Sequence, residues 1–380
     1  MELEPTDATV NSQDEMDSWD GPDLTAEDRE ATSEAEPEAY PVSYSGSDFD
    51  VEGLVRRLAR GDILIPSFGL RDESIETAGF QRSFVWKRPQ MDKFIESLLL
   101  GYPIPGIMLV EQQDKRYLVL DGQQRLTTLA AFYAGIHNKV EFSLRNVSDD
   151  FKNLTYATLS VEQRRQLDNT FIQATIVRTD GSDESLDAVY QVFERLNSGG
   201  TQLTPHEIRV ALYAGPFVEF LTELNENDNW RALYGPISPR LRDQELVLRV
   251  LALYAAAATY RRPLKKFLND FVGEHRSLEK LQHRVVQDLF VSAAALLHQG
   301  PGRRALRPGG TQINAAFTEA CFIGLMRRLE QGEVTPMEVS QVITELESDD
   351  GLGTSMTRAT ADEESVRTRL AVATRLFAQI

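Results

Sequence analysis

Cysteine is almost missing from this chain: Cys321 is the single one in 380 residues. A lone cysteine builds neither a disulfide framework nor a thiolate metal cluster, and its setting in Ala-Cys-Phe-Ile-Gly-Leu-Met is that of a small buried hydrophobe. The five histidines, His137, His206, His275, His283 and His298, are scattered, and none forms an H-E-x-x-H zinc pair. His137-Asn138 lacks the partners that a histidine-metal nuclease site needs. No run of about 18 apolar residues exists, since the longest candidate, Leu246–Tyr260, is interrupted by Arg249. G-x-x-x-x-G-K-[ST] is absent, which excludes a P-loop NTPase, and so is G-x-S-x-G. The N-terminus has no apolar h-region, so no signal peptide is expected and the cytoplasm is the expected address.

Basic charge is scarce as well. There are 40 Lys plus Arg against 58 Asp plus Glu, a net charge of −18, which excludes a dedicated polybasic nucleic-acid binder but leaves room for a local basic groove. The imbalance is uneven: residues 1–50 hold 16 acidic side chains and one base, Arg29, so the rest of the chain is close to neutral at −3. Residues 1–47 are rich in Glu, Asp, Ser, Thr and Pro and cannot bury enough apolar surface to offset their ordering entropy, so a disordered tail is expected. Such a tail serves as a solubiliser or as an arm that covers a basic groove.

What is present in quantity is hydrophobic patterning, 42 % of the chain, enough for one large domain or two. Order is expected from about Phe49–Leu58. Met91, Phe94, Ile95, Leu98 and Leu99 fall on one face of a helix over Arg88–Gly101. Ile107–Val110 and Tyr117–Leu120 predict a hairpin, followed by a helix carrying Leu126, Leu129, Ala130 and Tyr133. Val140, Phe142 and Leu144 alternate as a strand, and Phe171–Val177 is another. Beyond residue 185 the pattern is helical: Leu186, Val189, Tyr190 and Phe193 share a face, and helices are expected over 216–224, 242–260, 279–298, 312–330, 336–346 and 362–378. Thr204-Pro205-His206-Glu207 and Thr335-Pro336-Met337-Glu338 are capping boxes with proline at the first helical position. The fold class is therefore α+β: after the 1–47 tail, a small α/β domain over 48–184 and a larger all-helical domain over 185–380.

The most informative stretch is Asp121-Gly122-Gln123-Gln124-Arg125-Leu126-Thr127-Thr128, polar residues where a strand meets a helix N-terminus. Unpaired N–H groups and a partial positive charge gather there and suit an anion. Gly122 lets backbone come close to a ligand, Gln123 and Gln124 add amide donors, and Arg125 supplies a fork for phosphate. Thr127 and Thr128 can donate hydroxyls or coordinate a phosphate-bound metal. The competing reading, equally open, has Asp121 cap the helix and Arg125 pair with a surface carboxylate. In Phe80-Gln81-Arg82-Ser83-Phe84-Val85-Trp86-Lys87 an arginine between aromatics can serve a phosphate while a ring stacks on a base; the alternative is a loop that Phe84 and Trp86 anchor in the core. Arg195, Asn197 and Ser198, beside the Gly199-Gly200 turn, suit the lining of a polar cleft. Ahead of the 242–260 helix, Asp243 is expected to act as a cap. The loop Gly300–Arg307 is a short basic patch, either solvated or touching a phosphate backbone.

Taken together, Phe80–Lys87, the Gly101-Tyr102-Pro103-Ile104-Pro105 segment, Asp121–Thr128 and Phe193–Arg209 resemble the N-terminal domain of GmrSD-type modification-dependent restriction endonucleases, a domain related to the ParB and sulfiredoxin fold. The resemblance continues through Arg242–Tyr260, Pro263–Phe271 and the Asn314–Leu329 helix, so it covers roughly residues 60–380. It implies a domain that binds and hydrolyses NTPs with a divalent cation such as Mg²⁺, in defence against phage with modified DNA. Carried onto this chain, Asp121, Gln123, Gln124 and Arg125 form the phosphate site with Gly122 giving room. Gln81, Arg82, Thr127 and Thr128 add nucleotide contacts, and Arg195 and Asn197 close the cleft. Arg125 would stabilise charge on the transferred phosphoryl group, Gln123 or Gln124 would position the attacking water, and Asp121 would orient Arg125 or hold a metal-bound water. The His-Asn-His-type nuclease domain of full-length family members has no match here, so a separate nuclease subunit is the expected partner, with DNA contact a further possibility. A non-enzymatic nucleotide- or DNA-sensing regulator is the alternative.

Overall fold

The computed structural model of the chain describes residues 41–65, 67–68, 80–81, 86–112, 114–196, 204–349, 352–353, 355 and 360–380. The alternation of side chains on two central strands organises everything else. In β5 (Ile107–Glu111), Ile107 and Leu109 enter one core while Met108 and Val110 face another. In β6 (Tyr117–Asp121), Tyr117 and Val119 join the first core, and Leu118 and Leu120 the second. A strand flanked on both faces in this way reads as a continuous apolar run, which is how both strands stand in the sequence.

Among the described residues five strands make the main sheet, in the order β1 (Ser43–Asp50), β9 (Phe171–Arg178), β5, β6, β2 (Ile63–Leu64). At one edge, β1 (Ser43–Asp50) pairs antiparallel with β9 (Phe171–Arg178), and β9 runs parallel to β5. At the other, β5 and β6 form the antiparallel hairpin the sequence predicts, and two-residue β2 (Ile63–Leu64) lies parallel to β6. Two small ladders complete the strands, β3 (Ser67–Phe68) with β4 (Phe80–Gln81), and β7 (Ile136–His137) with β8 (Val140–Glu141). Over the first face lie α1 (Val51–Ala59), α2 (Arg88–Leu99), α3 (Gln123–Ala134) and α4 (Val161–Asp168), which contribute Leu54, Met91, Phe94, Ile95, Leu98, Leu126, Leu129 and Leu167 to that core.

The second face meets the helical body. It comprises α5 (Asp183–Leu196), α6 (Pro205–Leu212), α7 (Pro216–Asn225), α8 (Asp228–Tyr234), α9 (Arg242–Ala256), α10 (Leu264–His275), α11 (His283–Gln299), α12 (Ala315–Leu329), α13 (Pro336–Ser348) and α14 (Glu363–Phe377). Both capping boxes form, Thr204 with Glu207 and Thr335 with Glu338. The mixed α+β class holds.

Several local expectations need revision. The first strand starts at Ser43, ahead of the expected onset near Phe49, because Ser-Tyr-Ser-Gly-Ser has no apolar alternation and is held by pairing with β9. Phe142 and Leu144 are buried, yet only Val140–Glu141 is strand. The unpredicted α4 carries just two apolar residues, and one of them, Val161, is exposed. Asp243 sits inside the first turn of α9 instead of capping it. From there it gathers Asn225, Arg231 and the Ser238 N–H on one oxygen. The basic loop remains solvated at Arg303 and Arg304, but its guanidiniums are engaged: Arg303 donates to the Ala232 carbonyl, Arg304 pairs with Glu347, and Arg307 donates to the Leu233 and Tyr234 carbonyls. Cys321 is buried, and burial pushes its thiol pKa well up.

In the centre of the helical body Glu319 lies between Arg249 (2.6 Å) and Arg369, all three essentially buried. Burial works against ionising Glu319, but the two guanidiniums outweigh it and hold the carboxyl below its ordinary range. Its folded-state pKa is depressed, so its stabilisation is present above the ordinary carboxylate range and is lost as pH falls through the depressed value. Glu319→Ala leaves two buried cations without that partner and should cost about 3–5 kcal/mol in urea unfolding at neutral pH. The difference from the wild type should shrink on acidification through that window.

Candidate functional site

Strand β6 ends at Asp121, and Gly122 turns the chain into α3. Gly122 has φ 97°, in the left-handed region, and a Cβ there would stand 2.5 Å from Ile107 Cγ2 of the neighbouring strand. Dihedral and space thus both require glycine. As the N-cap it has no side chain to satisfy the first-turn N–H groups of α3. Asp121 therefore does not cap the helix.

Asp121 instead reaches forward one turn, where its Oδ2 accepts from Arg125 Nη2 at 2.9 Å. The pair is lopsided: the Asp121 side chain is 60 % exposed and that of Arg125 only 12 %. Arg125 Nε is buried and has no hydrogen-bond partner among the described residues. Gln123, in the same helical turn, is buried at 6 % exposure, and its Nε2 likewise has no partner among the described residues. Two buried donors left unsatisfied at one helix N-terminus each cost about 1–3 kcal/mol unless something accepts from them. The geometry can receive an oxyanion: one guanidinium, one amide N–H and the open first turn of a helix.

The other residues of the motif have structural partners. Gln124 Oε1 accepts from the backbone N–H of Trp86 at 3.1 Å, which ties the segment before α2 to the first turn of α3. Trp86 itself packs edge-on to Phe94, 5.5 Å between ring centroids, so the anchoring reading of that aromatic holds. Thr128 is fully buried and donates to the Gln124 carbonyl at 2.7 Å, which commits its hydroxyl to the helix. Thr127 is half-buried one position earlier. The Trp86 amide and Ile107 went unnoticed in the sequence; no signal short of the paired backbone marks either.

Of the remaining candidates, Gln81 lies in β4, while Arg82, Ser198 and Asn197 fall outside the described residues. Arg195 is exposed near the end of α5 and makes no hydrogen bond or ion pair among the described residues. Its neighbour Glu194 accepts from Lys265 Nζ at 3.1 Å, a lysine buried over the Tyr190 ring. Helix α5 begins after the Arg178 end of β9, touches β6 and spans 14 residues, roughly 21 Å. Register places Asp121 opposite Met108, at the far end of the sheet from Arg178 and Glu111.

Among the described residues no cluster of three or more His, Cys, Asp or Glu side chains could hold a metal ion. Asp121 is the carboxylate at the site among the described residues, and its Oδ2 already accepts from Arg125, so a hard cation there would take most of its oxygens from phosphate and water.

Residues 65–214 match the family described as GmrSD restriction endonuclease, N-terminal domain. All the candidate residues, from Gln81 to Asn197, fall inside it. Comparison with curated proteins gives no match. No helix of the described residues is long and apolar enough to cross a membrane.

The turn can be tested directly. Gly122→Ala combines a strained left-handed residue, about 1–2 kcal/mol, with overpacking against Ile107, about 1–3 kcal/mol. Thermal and urea unfolding should show a loss of at least ~2 kcal/mol, and the double variant with Ile107→Ala should lose less than the sum of the two single losses.

Proposed function

We propose that this chain is the NTP-binding and NTP-hydrolysing subunit of a restriction system directed against phage with modified DNA, working with a separate nuclease. The family of residues 65–214 supports the restriction-type role. One observation carries the nucleotide reading: among the described residues, the buried Nε2 of Gln123 and Nε of Arg125 at the N-terminus of α3 have no hydrogen-bond partner.

On this reading the phosphate chain lies across the first turn of α3, where the N–H groups and helix dipole favour negative charge. Arg125 donates to the transferred phosphoryl group and stabilises the charge that develops there. Asp121 holds the guanidinium in place through its 2.9 Å bond. Because Gln124 Oε1 is engaged by Trp86, Gln123 is the amide that orients the attacking water. A divalent cation, when bound, neutralises phosphate charge beside Asp121. Gln81, Arg82, Thr127, Arg195 and Asn197 are the further nucleotide contacts on this reading.

Phosphate release with each NTP and Mg²⁺ tests this in the full chain. Arg125→Ala should lower turnover by about 10²-fold or more while the fold, followed by circular dichroism, is retained. Nucleotide binding by the wild type without any turnover would replace the enzyme by a non-catalytic sensing regulator. Absence of both binding and turnover would remove either reading.

A further inference from the structure

Two helices of the first core begin at the same place. Trp86, just ahead of α2, donates its backbone N–H to Gln124 Oε1 in the first turn of α3 at 3.1 Å. The next backbone N–H, that of Lys87, is taken by Gln90 Oε1 at 2.8 Å. The chain is thus pinned at two consecutive amides where α2 starts, and beyond that point α2 packs on α3. Each helix is 12 residues long, and neither has an acidic side chain in its first turn. Two positive helix ends therefore meet, one at Gln123 and Arg125, the other at Lys87.

Uncommitted positive charge is scarce around them. Arg125 is paired with Asp121 at 2.9 Å, so the two cancel. Arg88, the first residue of α2, is engaged by Asp92 at 2.8 Å, by the Ser143 carbonyl and by the Phe142 ring. Lys87 differs from both. It is exposed, and its ammonium makes no hydrogen bond or ion pair among the described residues. Its backbone is held while its side chain is uncommitted, at a helix start where a cation stands against the dipole. An anion placed beside it reverses that repulsion.

On the nucleotide reading above, we infer that Lys87 is a second phosphate-binding residue, and that it makes the site select a polyphosphate chain over a single phosphate group. One phosphate group meets the buried donors of Gln123 and Arg125, which have no hydrogen-bond partner among the described residues. The next group along the chain meets the Lys87 ammonium and the positive end of α2. Lysine suits this place as a point charge on a flexible stem, able to follow a row of oxyanions. A single phosphate group fills the α3 end and leaves Lys87 in water, where salt screens its pull. Length selection then rests on a residue outside the Asp121–Thr128 motif, in the segment that Gln124 ties down.

The test titrates the full chain in a calorimeter with inorganic phosphate, pyrophosphate and tripolyphosphate at low ionic strength. The wild type should bind more tightly as the chain lengthens. Lys87→Gln, a change at an exposed position, should keep the fold and weaken tripolyphosphate binding about tenfold or more, because a hydrogen bond to a charged group is lost. Its affinity for phosphate should stay within about twofold of the wild type. Lys87→Arg keeps the charge and should bind tripolyphosphate within about threefold of the wild type. Unchanged tripolyphosphate binding in Lys87→Gln, an equal loss for phosphate and tripolyphosphate, or no recovery in Lys87→Arg would overturn the inference and leave the nucleotide reading standing. A wild type that binds an NTP but not tripolyphosphate would do the same. A wild type that binds neither would overturn both.

Discussion

Everything in this molecule depends on two short strands that are buried on both faces. The odd-numbered apolar residues of β5 and β6 belong to the core under α1–α4, and the even-numbered ones to the helical body. A one-residue slip of either strand would exchange the two sets. In a sheet with one solvated face such a slip exposes one row of side chains. Here it would misplace apolar groups in two cores at once, so the register is fixed twice over. The end of β6, and with it Asp121, is located along the strand axis by packing on both sides.

That constraint explains why a polar site can be held firmly on a short turn. Gly122 is pressed against Ile107 on the adjacent strand, and Gln124 is tied to the Trp86 backbone. The first turn of α3 therefore has neighbours fixed by the sheet before it and by the segment leading into α2. The donors it leaves unpaired among the described residues, on Gln123 and Arg125, are buried. A site assembled in this way is organised before any ligand arrives, the condition under which fixed donors act most effectively on developing charge.

Much of this was legible in the sequence. Periodicity located α2, the β5–β6 hairpin, β9 and both capping boxes, since each carries its own local signal in spacing or cap chemistry. The strand-to-helix position of Asp121–Arg125 followed from the same signals. What escaped was whatever depends on a distant partner. Ser43–Asp50 is a strand because β9 lies beside it, and no pattern in its serines says so. Arg303, Arg304 and Arg307 resemble a basic patch until the carbonyls of α8 and the Glu347 carboxylate are seen to receive them. The pairing of Arg249, Glu319 and Arg369 joins three helices far apart in the chain, and each residue alone reads as an ordinary charge in an apolar run.

The ion pair between Asp121 and Arg125 has one more consequence. On the proposed reading an anion meets a guanidinium already held by a carboxylate that is mostly in water. Arg125 turns Nη2 to Asp121 and keeps its buried Nε for the ligand. Its positive charge would then be shared between two anions instead of passing from one to the other. A filled site would carry more negative charge at the Asp121 end of β6 than an empty one, a difference legible from outside without any movement of the sheet.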